Sequence, residues 1–181
     1  MTRGEPLDWY TAVFELIDMR SFSNLWFWIA LAVMWSSVNH WVLGVPWDMV
    51  IRARRNPEAQ PMADMQDMVR INVNRLLHIH AESGVLITAF AFFVLTGLLL
   101  LGFVYGREFA QALFLLGAPL SLVAVLSTRT ARIIREQELE GAALVARMGR
   151  HRLTTQVLGM ICLFLTAMWG MYQNVTFSAF G

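Results

Sequence analysis

Four long apolar runs without a charged residue constrain the fold of this chain more than any other feature. Each is close to the roughly 20 residues that an α-helix needs to cross a hydrocarbon core of about 30 Å. Hydrocarbon offers no partner to unpaired backbone groups, so runs of this length without alternation predict helices. We therefore expect an all-α integral membrane protein with four transmembrane helices in an antiparallel bundle. The runs are Asn24–Gly44, Ser83–Tyr105, Phe109–Ser127 and Thr154–Thr176.

Composition excludes several classes of function. The chain is 57% hydrophobic and 15% charged, whereas a soluble domain carries about 25% charged residues. A net charge of only +1 gives no basic surface for nucleic acid. The single cysteine, Cys162, excludes a disulfide framework within one chain, and an iron–sulfur cluster normally needs four thiolates. The sequence contains no glycine-rich phosphate loop, nucleophile elbow or HExxH motif, so we expect no enzyme.

The arginines predict how the chain lies in the membrane. All 14 basic residues are arginine; five lie within residues 45–82 and six within residues 128–153. Positively charged loops stay on the cytoplasmic side. The chain is therefore expected to form one domain, residues 1–181, in a bacterial inner (plasma) membrane, with both termini periplasmic. Upstream of the first run, an apolar face over residues 7–20 predicts an interfacial helix.

Both cytoplasmic loops are predicted to be helical. Asn56, Pro57 and Glu58 form a typical helix start, with a capping side chain, a proline and an acidic first turn. Helical apolar spacing then leads without a breaker into the second span. The same spacing continues the third span through Arg132 and Glu136. We expect the second and third spans to extend into the cytoplasm as helices that pack on each other.

Two uses of this cytoplasmic side are predicted. Arginines near the headgroups each gain about 1 kcal/mol from anionic lipid, and the lipid candidates are Arg52, Arg54, Arg55 and Arg129. A protein complex is the second expected partner, because methionine side chains form an adaptable contact face. The partner-binding candidates are Met62, Met65, Met68, Arg132 and Arg135.

The stretch HIHAESG raises the alternative of a metal site. His78 and Glu82, four residues apart, share a helix face, whereas His80 points elsewhere unless the helix is distorted. Imidazole with carboxylate suits zinc or non-haem iron, and two imidazoles suit haem. Polar side chains at a membrane interface need no metal, so no cofactor is expected and a metal ion or haem is the alternative. Its candidate ligands are His40, His78, His80, Glu82 and His151.

The stretch FELIDMRSFSNLWFWIALAVMWSSVNHWVLGVPWDMVIRARR, with the later HIHAESG, resembles a family of bacterial integral membrane proteins. Members are often labelled "component of SufBCD complex". The resemblance implies a link to iron–sulfur cluster assembly and supplies no catalytic residues. With one cysteine, such a role is limited to docking, recruitment or iron handling.

The expected function is a non-enzymatic membrane scaffold or accessory subunit that docks a protein complex at the inner membrane. One alternative is a metal- or haem-binding membrane protein with a histidine site at the cytoplasmic interface. Another is a small transporter subunit, although a carrier normally keeps an ionisable residue at mid-membrane. The four spans contain no such residue apart from His40.

Overall fold

The structure is a computed structural model that describes Phe22 and residues 25–180. Within this part the chain is almost entirely helical, and three helical stretches are long and apolar enough to cross a membrane: Gln60–Val104, Glu108–Glu136 and Gly141–Val175. The prediction of an almost entirely helical protein is confirmed, and the length and composition of three helices are consistent with membrane spans. The predicted interfacial helix at residues 7–20 lies outside the described residues. The described helices are α1 (Leu25–His40), α2 (Trp47–Arg55), α3 (Gln60–Leu99), α4 (Glu108–Glu136) and α5 (Gly141–Phe180), with a π-helical turn at Leu100–Val104 after α3.

The first predicted span is shorter than expected. Its helix, α1, has 16 residues, which corresponds to about 24 Å, and it is not among the three long helices. It ends at His40 because the chain turns into a hairpin of two-residue strands, β1 (Trp41–Val42) and β2 (Val45–Pro46). The turn residues Leu43 and Gly44 have φ values of 53° and 75°. Two successive positive φ values are what a tight hairpin turn requires.

The helix start predicted at Asn56 is wrong. Asn56 instead ends α2, where its N–H donates to the Arg52 carbonyl at 3.2 Å. The next helix, α3, begins after Ala59 and carries Pro61 in its first turn. A proline is tolerated in the first turn because the N–H it lacks has no helical partner there. Pro57 and Pro61 both fit this local rule, so it could not place the boundary.

The predicted continuity of the second span is confirmed, since α3 runs unbroken from Gln60 to Leu99. The third span also continues as a helix to Glu136. The chain then turns over residues 137–140, with Glu138 at a φ of 46°, and α5 begins at Gly141. The helical spacing across this loop therefore belongs to two helices, not one.

Two separate hydrophobic cores lie toward opposite ends of the long helices. The first joins the β1–β2 hairpin, α2 and the adjoining ends of α3, α4 and α5, which together are called the head. The second lies between α1, α4 and α5, around Phe27, Leu31 and Trp35. Between the two cores, the outer surface of α3 is strongly apolar: Val85 is 85% exposed and Phe93 77%. Such a surface is expected where a helix faces lipid.

Glycines set the closest contacts between helices. A Cβ added at Gly102 would lie 2.9 Å from the backbone nitrogen of Gln111, and one at Gly159 would lie 2.8 Å from the Trp35 ring. The first contact joins the π-helical turn after α3 to the start of α4, and the second joins α1 to α5. Gly106, which shares a GxxxG spacing with Gly102, has no such contact and occupies the turn at a φ of 68°.

Candidate functional site

The head is an ordered helical unit with its own interior. Its buried residues come from the hairpin and from all four helices that meet there, so no single element is stable in this arrangement without the others. Asn72 of α3 fixes the hairpin by donating from its side-chain amide to the Gly44 carbonyl at 3.2 Å. The buried members are Val42, Val45, Val50, Ala53, Met62, Met65, Val69, Val73, Ala131, Ile134, Leu144 and Met148.

The predicted methionine face lies mostly inside the head. Met65 is fully buried and Met62 is 6% exposed, while Met68 is half-buried and packs against the same core. The unbranched methionine side chain fills irregular gaps between helices well. Met65 therefore holds α3 to its neighbours inside the head, whereas Met62, although nearly buried, lines the groove between α2 and α5 that is described below.

Arg132 and Arg135 lie on the surface, together with one of the predicted metal ligands. With His80, Glu136, Leu77 and Ala81 they line a groove of about 530 Å³ between α3 and α4. Both arginines and the histidine are exposed. The structure thus brings His80 beside two arginines that the sequence had assigned to a different site.

A second groove, of about 460 Å³, separates α2 from the start of α5. Its α2 wall consists of Trp47, Val50, Ile51 and Arg54, and its α5 wall of Ala142, Val145, Ala146 and Gly149. Pro57, after α2, and Met62, in the first turn of α3, complete the lining. The lining is apolar except at Arg54. At its edge, the Arg152 guanidinium lies 4.3 Å from the centre of the Trp47 ring, a cation–π contact that holds the ring in place. This feature is called the head groove.

The four arginines predicted to meet lipid headgroups are all exposed. Arg52 forms an ion pair with Asp48 at 2.9 Å, one turn earlier on α2. An exposed pair of this kind contributes little to stability. Arg54 and Arg55 belong to the same basic last turn of α2, and Arg129 lies on α4.

The histidines are in different surroundings. His40 is exposed and its ring contacts Trp41 edge-on at 5.5 Å, while His78 and Glu82 are exposed on α3. His151 is buried, with Nδ1 3.1 Å from the Thr130 hydroxyl and Nε2 3.4 Å from that of Ser127. In the part of the chain that the structure describes, no three His, Cys, Asp or Glu side chains come close enough to hold a metal ion.

Sequence reasoning missed a polar centre at the other end of the bundle, around Gln111. Its side-chain nitrogen donates to the Gly102 carbonyl at 2.8 Å. Its side-chain oxygen accepts from the Trp169 indole at 2.9 Å and from the Gln173 amide at 2.7 Å. A glutamine near the start of an apolar run was the available signal, because such residues join membrane helices by hydrogen bonds.

Glu108, also buried, accepts a hydrogen bond from the Phe22 backbone N–H at 2.6 Å. This contact ties the segment just before α1 to the first turn of α4. Together with Gln111, it indicates that polar contacts position the helices at this end.

No protein-family model matches this sequence, and neither the search of curated proteins nor that of solved structures found a match.

Proposed function

We propose that this protein is a non-enzymatic scaffold or accessory subunit of the bacterial inner membrane, and that its head docks a protein complex. The observation that carries the proposal is the separate core of the head. A helical unit with its own core presents a defined surface to which a partner can dock. The head buries Met65 and Met148 completely, so its surface is held rigid, as a docking surface requires.

In this proposal α1 is a fourth span, and it forms an antiparallel bundle with α3, α4 and α5. Residues 25–47 carry no Asp, Glu, Lys or Arg. One side of α1 packs inward through Phe27 and Leu31, while Leu25 and Val33 on other sides are 70% and 60% exposed. This distribution suits a helix that faces protein on one side and lipid on the other.

The same proposal places the head in the cytoplasm and both termini in the periplasm. All eleven arginines of residues 45–82 and 128–153 belong to the head or to the helix segments that lead into it. The positive-inside rule then fixes the side. Exposed Arg55 and Arg129 would contact anionic headgroups at the base of the head, whereas Arg54 lines the head groove.

Single-cysteine labelling tests the topology. Cys162 is replaced by serine, and cysteines are introduced at exposed positions Glu58 in the head and Gly106 in the turn between α3 and α4. A membrane-impermeant maleimide added to intact spheroplasts is expected to label position 106 and not position 58. Labelling at position 58 would place the head outside and overturn the proposal.

Site-specific photo-crosslinking in cells tests the docking role. A photoreactive amino acid at Gln66, a half-buried head residue on α3 beside exposed Asp67, is expected to crosslink a soluble complex. The same probe at lipid-facing Val85 should give none. The resemblance to proteins labelled as SufBCD components makes that assembly machinery the first partner to probe, by antibody against its subunits. Absence of any protein crosslink from the head would overturn the docking role.

A further inference from the structure

The head groove has the form of a helix-binding site. Its α2 wall presents residues 47, 50, 51 and 54, and its α5 wall presents residues 142, 145, 146 and 149. Both sets follow the i, i+3, i+4, i+7 spacing of one helix face. The lining faces of α2 and α5 therefore border the same groove with the same residue spacing. A third helix can pack between two such faces, with its side-chain ridges in their grooves.

Side-chain size also suits a helix. The α5 wall is built from small residues, Ala142, Val145, Ala146 and Gly149, with nothing within 4 Å of a Cβ added at Gly149. Small residues let a second backbone come close. Ile51, Ala142 and Ala146 are exposed although they line an apolar groove, so the groove keeps apolar surface in contact with water.

The charged side chains that the structure places at the groove are positive. Arg54 lines it, and Arg152 lies at its edge over the Trp47 ring, whereas the neighbouring Glu58 and Glu140 do not line it. On α2, the one acidic side chain, Asp48, is paired with Arg52, which leaves Arg54 and Arg55 in the basic last turn. An occupant with acidic side chains flanking its apolar stripe would therefore match the groove in charge.

Distance from the membrane favours a peptide over a lipid chain. Along α5, Gly149 lies about 8 Å and Ala142 about 18 Å before Thr154, where the predicted span begins, at about 1.5 Å per residue. The groove thus leads away from the bilayer. An acyl chain would have to leave the hydrocarbon to fill it, whereas a segment of a soluble protein would meet it directly.

We propose that the head groove binds an acidic amphipathic helix of the docked partner, with the apolar stripe of that helix between α2 and α5 and its carboxylates toward Arg54 and Arg152. This inference rests on the proposed docking function and specifies the chemistry of the partner.

Two synthetic peptides test the proposal. They share a leucine stripe at i, i+3, i+4 and i+7, and the flanking positions are glutamate in one and lysine in the other. Binding to the full chain in nanodiscs of neutral phosphatidylcholine is measured by fluorescence anisotropy of a dye on the peptide. The glutamate peptide is expected to bind saturably and at least about tenfold more tightly than the lysine peptide. Equal affinities, or no saturable binding of the glutamate peptide, would overturn the proposal.

Matched variants locate the site. Ala146→Trp, which fills the groove, and Arg54→Glu, which reverses its charge, are each expected to weaken the glutamate peptide about tenfold or more, and Arg54→Glu should improve the lysine peptide. Ala143→Trp and Arg75→Glu, at exposed positions that do not line the groove, serve as controls. If the controls have the same effect as the groove variants, the assigned site is wrong. Circular dichroism of each variant checks folding.

Two further measurements separate the groove proposal from a lipid site and from failure of the docking function. Native mass spectrometry checks whether the groove holds a lipid. If the protein retains phosphatidylglycerol, the Ala146→Trp variant loses it and the peptide does not bind, the occupant of the groove is a lipid and the proposal is overturned. In cells, a photo-crosslink to soluble protein from Gln66 but not from Ala146 would overturn the groove and leave the docking function standing. Absence of crosslinks from both positions would overturn the docking function itself.

Discussion

Replacement of Gly102 by alanine tests the closest contact between α3 and α4. The added Cβ would lie 2.9 Å from the Gln111 backbone nitrogen and 3.1 Å from its Cα. Backbone atoms of a packed helix cannot move aside as a flexible side-chain end can, so the helices must separate. Overpacking of this kind destabilises by about 1–3 kcal/mol. Alanine also restricts the unfolded chain, which stabilises the folded state by about 0.4–1 kcal/mol, so the net destabilisation is about 1 kcal/mol, within a range of about 0–2.6 kcal/mol.

The same separation should lengthen the hydrogen bond from the Gln111 side chain to the Gly102 carbonyl, now 2.8 Å. The free energy of unfolding is measured by steric trapping in bicelles, with Gly97→Ala as the control, since a Cβ at Gly97 meets nothing within 4 Å. Alanine is the better helix former by about 1 kcal/mol, so Gly97→Ala should be neutral or stabilising. If Gly102→Ala and Gly97→Ala have the same stability, the contact between α3 and α4 is not as described.

Three other substitutions probe the remaining contacts. Gly159→Ala places a Cβ 2.8 Å from the Trp35 ring. The substitution should destabilise the protein by about 1–3 kcal/mol and change its tryptophan fluorescence. An unchanged fluorescence spectrum would contradict the packing of α1 on α5. Gln111→Leu removes the hydrogen bonds to Trp169, Gln173 and the Gly102 carbonyl. The free energy of unfolding, measured by steric trapping, should fall by about 1–2 kcal/mol. An unchanged value would show that these hydrogen bonds do not hold the helices together. Met65→Ala, at a fully buried position of the head, should destabilise by about 2–5 kcal/mol and expose the head to limited proteolysis, whereas half-buried Met68→Ala should have a smaller effect; equal effects would contradict the assigned core.

The long helices were predictable because they depend on a property of each segment alone. An apolar stretch of about 20 residues must satisfy its backbone internally wherever it lies in lipid. The helices Gln60–Leu99 and Glu108–Glu136 therefore follow from the sequence, including their continuation beyond the apolar runs, where helical spacing persists. The π-helical turn at Leu100–Val104 was not predicted, since nothing in a local apolar pattern separates it from α-helix.

The candidate site was less predictable. Exposure of Met62 and Met65 could not be judged from α3 alone, because an amphipathic helix shows which residues share a face but not what covers that face. The covering surface comes from the hairpin, α2, α4 and α5, which share one core with these residues. The helix start predicted at Asn56 also hid α2, because the observed α3 begins only at Gln60. The head groove was likewise hidden: its two walls are separated in the sequence by more than the length of α3 and α4.

By itself the sequence determined that this chain is helical, that its apolar helices suit a membrane, and where its arginines are concentrated. Only the tertiary structure decided that these arginines surround a packed head, that Gln111 joins three elements, and that His80 lies beside Arg132 and Arg135. The physical reason is that backbone satisfaction and hydrophobic spacing act within one segment, whereas burial and side-chain contact depend on which segments meet.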